Sequence, residues 1–388
     1  MGWLPFEYAV RNLGRSPQRL LASVLGSALV VLLVLAAGGF VRGMERSLSI
    51  SGDDNSVILV GAGSEESLER SQIDMSVPTL AAASVPGVKR RLGVDYASPE
   101  VHMALVMKTS RESESEFQAV VRGITPTAYL VHPQVRIVEG RPPRPGEYEV
   151  MVGRLAATRL GVDDRELAPG RQLWFDNRAW TVSGRFAAPQ TVMDAEVWVP
   201  LTDLQIATRR DTLSCVVLML DEATFEDVAV WCAQRLDLEL VAMPEADYYA
   251  GLLEFYRPVR AMVWATAALI ALGGLFGGLN TMYAAFAARV RELGALQTLG
   301  FRRRALVASF LQESLLATAA GGILAAVLGL LLLDGLAVRF SMGAFALSLD
   351  APVLLGGLAA GVGLAIFGVI PPLWRCLRLP IVEALRTS

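Results

Sequence analysis

The sequence predicts an α-helical membrane protein with four transmembrane helices (one plus three) and a mixed α/β domain between the first and second. Three observations lead there. Four charge-poor apolar blocks are each long enough to cross a hydrocarbon layer of about 30 Å at a helical rise of about 1.5 Å per residue. Arginines crowd one side of every span. Between residues 43 and 260, in contrast, no stretch approaches that length and apolarity. The 388-residue chain is 53% hydrophobic and 19% charged, and the apolar excess sits in the four blocks rather than in one large core.

Residues 1–19 read as an amphipathic cytoplasmic segment carrying Arg11, Arg15 and Arg19. The first span, 20–41, has no charged residue. A cleaved export signal is one reading of it. Its apolar stretch exceeds the roughly 7 to 15 residues of a signal core, and Arg42, Glu45 and Arg46 follow at once, which favours an uncleaved anchor. The second span covers 261–288, the third 305–333 with Gln312 and Glu313 as its polar residues, and the fourth 351–374, ending around Pro371 and Pro372. Arg289, Arg291, Arg302, Arg303 and Arg304 fill the 289–304 connection, and Arg375, Arg378 and Arg386 occupy the 375–388 tail. The connection between the third and fourth spans lacks this excess. By the positive-inside rule both termini and the 289–304 loop are cytoplasmic, and 43–260 lies outside.

Small residues suggest how the spans pack. Gly273, Gly274, Gly277 and Gly278 make two overlapping GxxxG pairs, and Gly357 with Gly361 makes another; such pairs let helices approach closely. Glu313 is an ionisable group in an apolar helix, a pattern that invites a proton-relay reading. Its place two or three turns from the cytoplasmic arginines favours a structural role near the interface.

The 43–260 segment reads as strands at 56–60, 101–108, 117–121, 213–220 and 238–241, with helices at 79–84 and 222–236. Short strands broken by turns occupy 140–200. The order suggests two strand–helix–strand halves with a β-rich insertion. Glu65, Glu66 and Glu69 read as solvated surface, and Tyr248, Tyr249, Phe255 and Tyr256 suit an aromatic belt at the membrane interface, with facing a substrate as the less favoured alternative. Cys215, Cys232 and Cys376 share no CxxC spacing; a Cys215–Cys232 disulfide and two unrelated buried thiols are both open, the second being expected.

Nothing here announces catalysis. His102 and His132 are the only histidines and neither has a partner at metal-ligand spacing, so no metal site is expected. GxSxG, HExxH and the GxxxxGK[ST] phosphate loop are absent, and a net charge of -3 argues against a nucleic-acid partner.

The most informative stretch is 289–304. Leu293, Leu296 and Leu299 recur at helical spacing, and Gly300 sits where a left-handed cap would stop the helix. The bland reading is a basic loop touching anionic lipid; the sharper one is a lever that docks on a cytoplasmic motor. Arg291-Glu-Leu-Gly, followed by Leu296 and Leu299-Gly300, resembles the R-E-I-G-x-L-x-x-L-G signature of MacB/LolC/FtsX-type ABC transporter permeases. Ala9-Val-Arg-Asn-Leu-Gly-Arg-Ser-Pro, Gln312-Glu313-Ser314-Leu315 and Pro380-Ile-Val-Glu-Ala-Leu-Arg are similar to further family landmarks, as are Val138-Glu-Gly-Arg and Val182-Ser-Gly-Arg-Phe.

The resemblance implies a non-catalytic permease of the mechanotransmission type, in the bacterial inner membrane, with an outer domain of porter-like subdomains and a β-rich insertion. Arg289, Arg291, Glu292, Leu293, Gly294, Leu296, Leu299 and Gly300 match the family's ATPase-docking coupling helix. No cofactor would bind this chain directly, ATP and Mg residing on a separate ATPase subunit. A second permease copy, a periplasmic adaptor, an outer-membrane channel and membrane lipid are the further partners it implies. Export or extraction of a lipoprotein, lipid, peptide or drug is the function expected. An FtsX-like regulator of cell-wall hydrolases is the alternative.

Overall fold

The computed structural model describes residues 6–287, 289–340 and 343–377. It divides into a membrane unit (1–42, 258–336 and 347–388) and an α/β unit (43–257 and 337–346).

In the membrane unit, α1 (Phe6–Gly14) precedes α2 (Pro17–Ser51), a 35-residue helix whose last turns belong to the α/β unit. The α/β unit then supplies β1 (Ser56–Gly61), α3 (Val77–Ser84), a small hairpin of β2 (Arg90–Arg91) and β3 (Val94–Asp95), β4 (Ala97–Met107) and β5 (Phe117–Ile124). Next come α4 (Ala128–Val131), β6 (Arg136–Gly140), β7 (Glu149–Gly153), α5 (Ala156–Leu160), β8 (Gln172–Phe175), β9 (Arg178–Ala187) and β10 (Val197–Pro200). The unit continues through α6 (Leu201–Thr208), β11 (Cys215–Met219), α7 (Phe225–Gln234), β12 (Leu240–Pro244) and α8 (Glu245–Phe255). The remaining elements are α9 (Arg257–Ala287), α10 (Val290–Thr298), α11 (Arg303–Leu332), the hairpin β13 (Ala337–Phe340) and β14 (Gly343–Ala346), and α12 (Ala351–Leu377).

Among the described residues, four helices are long and apolar enough to span a membrane: α2, α9, α11 and α12. Their packing is uneven. Val31 and Leu35 of α2, Ala325 of α11 and Leu349 ahead of α12 form one buried cluster. Gly321 of α11 carries no side chain where α2 crosses it; a Cβ there would collide with Ser27 and the backbone of Val24. Gly357 likewise abuts Leu35. Of the α9 glycines, Gly274 meets Val30, whereas a Cβ on Gly273, Gly277 or Gly278 would meet nothing within 4 Å. Only 6% of the apolar window of α9 is buried, against 28% for each of the other spans, so α9 leaves most of its surface to lipid or another chain. Pro371 and Pro372 lie inside α12 rather than ending it. Each lacks the N–H of a helical hydrogen bond, so the last turns of α12 are its weakest.

The α/β unit is built on one ten-stranded sheet in the order β12-β1-β11-β4-β5-β10-β7-β9-β6, with β8 on β9. At one end β1-α3-β4 and β11-α7-β12 are the two strand–helix–strand halves, interleaved and antiparallel, with Val57 opposite Leu218 and Val217 opposite Ser98. This is the split β-α-β arrangement. α7 starts at a capping box in which Thr224 and Asp227 satisfy each other's backbone N–H groups. Strands β5 to β10 form the β-rich insertion, joined through the parallel pair β5–β10. The Val138-Glu-Gly-Arg and Val182-Ser-Gly-Arg-Phe phrases turn out to be neighbours: Gly140 faces Gly184 in the β6–β9 ladder. Gly140 has φ +71, and a Cβ on either glycine would strike the other strand's backbone, so both positions need glycine. A continuous core of Val57, Leu59, Val121, Val199, Val216 and their neighbours runs beneath the sheet. Trp180 stacks on Phe175 at 4.4 Å within it.

Cys215 and Cys232 are both buried free thiols, in different clusters. Two surface expectations differ. Tyr249 is buried and Tyr248 and Tyr256 are partly so, facing a cavity inside the α/β unit, while Phe255 alone of the four is exposed. Glu69 is solvent-exposed but stands at the lip of the same cavity.

Candidate functional site

The nine-residue α10 is fastened to the membrane unit by its apolar stripe. Leu293 is buried in a cluster with Leu306 and Phe310 of α11 and Val369 and Leu373 of α12, with Leu296 and Met282 packed against it. Val290 and Gly294 are also buried. The helix stops in a Schellman motif: Gly300 takes φ +89, its N–H donates to the Gln297 carbonyl, and Phe301 N–H donates to Leu296 O at 3.2 Å. Gly300 is the residue type that position requires.

A polar network locks the other side. The Glu313 carboxylate, buried in α11, accepts from Asn12 Nδ2 at 2.6 Å, from Arg289 Nη1 at 3.3 Å and from Arg19. Arg289 Nη2 donates to Asn12 Oδ1 at 2.7 Å, and its guanidinium lies over the Phe310 ring at 5.9 Å. Tyr8 Oη donates to Glu292 Oε1 at 2.7 Å. Thus α1, the start of α2, α10 and α11 converge on one carboxylate. Charge-assisted bonds of this kind are stronger than neutral ones, especially away from water.

The eight candidate docking residues therefore separate into two groups. Leu293 and Gly294 are buried; Arg289, Glu292 and Leu296 are half-buried and engaged within the chain. Arg291, Leu299 and Gly300 are exposed, Leu299 by 64%, together with Ala295 and Thr298. Sequence reading passed over Tyr8 and met Asn12 only as part of the 9–17 landmark, with no role given to it. Their signal was the four-residue spacing, which stacks both on one face of α1. Among the described residues, Glu100, His102 and Cys215 come nearest to a metal-ligand set, with donor atoms within 4.8 Å. Arg122 Nη1, 2.7 Å from Glu100 Oε2, already fills the cation position there.

The MacB-like periplasmic core domain matches residues 20–230, and the FtsX-like permease C-terminal domain matches residues 264–381. The chain belongs to the MacB/FtsX family of ABC transporter permeases. It is similar to the uncharacterized ABC transporter permease YknZ of Bacillus subtilis, at 23% identity over 96% of this chain and 95% of that protein. It is also 24% identical to the macrolide export ATP-binding/permease protein MacB of Marinobacter nauticus, over 93% of this chain and 56% of MacB. The periplasmic region of MacB from Actinobacillus actinomycetemcomitans aligns with 53% of the chain, and 95% of that region, at TM-score 0.39 and 11% identity. The extracellular domain of YknZ from Gram-positive bacteria aligns with 49%, and 100% of that domain, at TM-score 0.36 and 16% identity. In this MacB/FtsX-family permease, α10 occupies the connection between the second and third spans, inside the FtsX-like region.

Proposed function

We propose that this permease couples ATP hydrolysis on a separate cytoplasmic ATPase subunit to movement of its α/β unit outside the membrane. Both termini and α10 face the cytoplasm of the inner membrane in this reading, as the arginines predict. The observation that carries it is the build of α10: one face fused to α11 and α12, and an exposed edge of Arg291, Ala295, Thr298 and Leu299 left for a partner. A force applied to that edge is delivered to the spans because α10 cannot roll independently of them. The cargo classes are a lipoprotein, lipid, peptide or drug, worked on outside rather than through an aqueous channel. The open α9 face suits a second permease copy, and a periplasmic adaptor with an outer-membrane channel would complete an export route.

Docking is tested by co-purification of the ATPase subunit with the full chain. Arg291→Glu combined with Leu299→Asp is expected to reduce ATPase recovery at least about tenfold, equivalent to about 1.4 kcal/mol, without loss of folded permease. Unchanged recovery would sink the docking assignment. Leu293→Asp is unsuitable, since a carboxylate in that core would unfold the region. Co-purification of a cell-wall hydrolase in place of an adaptor would favour the regulator reading.

A further inference from the structure

A cavity of about 160 Å³ lies within the α/β unit, walled by the end of α2, by α8 and by the β13–β14 hairpin. Five aromatic side chains line it: Tyr248, Tyr249, Tyr256, Phe340 and Phe345. Tyr256 and Phe340 meet edge to face at 5.1 Å, and Tyr248 and Tyr249 do so at 5.3 Å. Besides the tyrosine hydroxyls, the polar part of the lining is Ser47, Glu69, His102, Arg122 and Glu196, all but Glu69 almost fully buried.

These polar groups are already arranged among themselves. Arg122 grips Glu196 with two 2.7 Å hydrogen bonds, from Nε and Nη2, and reaches Glu100 with a third at 2.7 Å. Glu100 also accepts from Ser98 Oγ at 2.9 Å and lies 2.8 Å from His132 Nε2 and 3.2 Å from His102 Nε2. Burial pushes the Glu100 carboxyl up, but His132 and the Arg122 guanidinium outweigh it and hold the group well below the usual carboxylate range. His102 Nε2 must then be the donor to Glu100, which leaves Nδ1 as an acceptor. Burial, and then Arg122, lower the His102 pKa, so its ring is neutral near pH 7.

Two consequences follow for a ligand. The guanidinium is committed to two carboxylates, so an incoming anion would have to break a bidentate pair. Three carboxylates, Glu69 at the lip, Glu196 and the adjacent Glu100, stand against two guanidinium groups, Arg122 inside and Arg70 beside Glu69, so the acidic groups are in excess. Aromatic ring faces attract cations through their quadrupoles, most strongly when water is excluded. We propose that this cavity is a binding site for an organic cation: an ammonium group held near Glu69 and Glu196, with an apolar body among the five rings. The three wall segments each continue in sequence into membrane spans, so an occupant touches the α/β unit where the chain enters and leaves it. The site does not depend on the ATPase-docking reading.

The test is equilibrium dialysis of the full chain in nonionic detergent against 4-phenylbutylamine, 4-phenylbutanol and 4-phenylbutanoate. The amine is expected to bind saturably and at least tenfold more tightly than the carboxylate. Glu69→Gln, at an exposed position that does not hold the core, should lower amine affinity at least threefold and leave the alcohol unchanged. Ala344→Leu, which fills the cavity from β14, should abolish saturable binding and provide the micelle background; far-UV circular dichroism checks that it folds. Equal affinities for amine and carboxylate, or an amine affinity that Glu69→Gln leaves unchanged, would overturn the assignment.

Discussion

A carboxylate inside an apolar helix invites a proton-relay reading, yet both oxygens of Glu313 are taken by Asn12, Arg19 and Arg289. That makes Glu313 the clasp of the α10 region. Glu313→Gln keeps the shape but leaves two partly buried guanidinium groups uncompensated, which by analogy with broken buried pairs costs about 3–5 kcal/mol. The expected outcome is a lower thermal midpoint in detergent and faster trypsin cleavage after Arg289; unchanged midpoint and cleavage would contradict the clasp. In the α/β unit the network around Glu100 predicts a pH response. His102 is held below its usual 6.5 in the folded state, so the unfolded chain binds more protons as pH falls through 6.5 and stability declines there. Burial raises the Glu196 carboxyl but Arg122 more than reverses this, and Glu100 is depressed further, so their stabilisation is present above the usual 4.5 and is lost as pH falls below it. Thermal unfolding between pH 8 and pH 4 should fall in two steps, and His102→Asn should remove the first one only.

At the scale of elements, α10 and the glycine-bearing spans show how one pattern serves two ends. The Leu293–Leu296–Leu299 stripe was legible as a helix face, but a stripe does not say what it packs on. Leu293 proved to be core, and Leu299, beyond the last helical turn, points outward. Glycines divide similarly: Gly321, an unremarked residue of α11, is where α2 presses closest, whereas a Cβ on Gly273 of α9 would meet nothing within 4 Å. Gly321→Leu should therefore abolish folded permease in detergent, because no rotamer avoids Ser27 and the Val24 backbone. Gly273→Cys should be tolerated. If α9 meets a second copy, oxidation of Gly273→Cys in membranes should give a disulfide-linked dimer, and a purely monomeric product would argue against that face.

For the whole molecule, the one-plus-three span pattern, the two strand–helix–strand halves and the helix at the second-to-third connection could be read from the chain. Each rests on a local rule: a run of apolar residues must exceed the bilayer thickness, a buried strand and an amphipathic helix differ in period, and a helix end needs a cap such as Gly300. What the chain did not disclose are meetings between residues far apart in sequence. Tyr8 with Glu292, Asn12 with Glu313, and Glu100 with His132 depend on which faces the packed elements turn toward one another, and hydropathy carries no such information. The aromatic residues before the second span make the point most sharply. Their amphipathic rings fit a membrane belt equally well, and only the hairpin of β13 and β14, folded against α8, decides that three of them wall a cavity. Local sequence thus determined the spans and the short helix α10, because their energetics are set within a few turns of chain; tertiary structure decided the clasp and the cavity, because those arise where distant segments exclude water together.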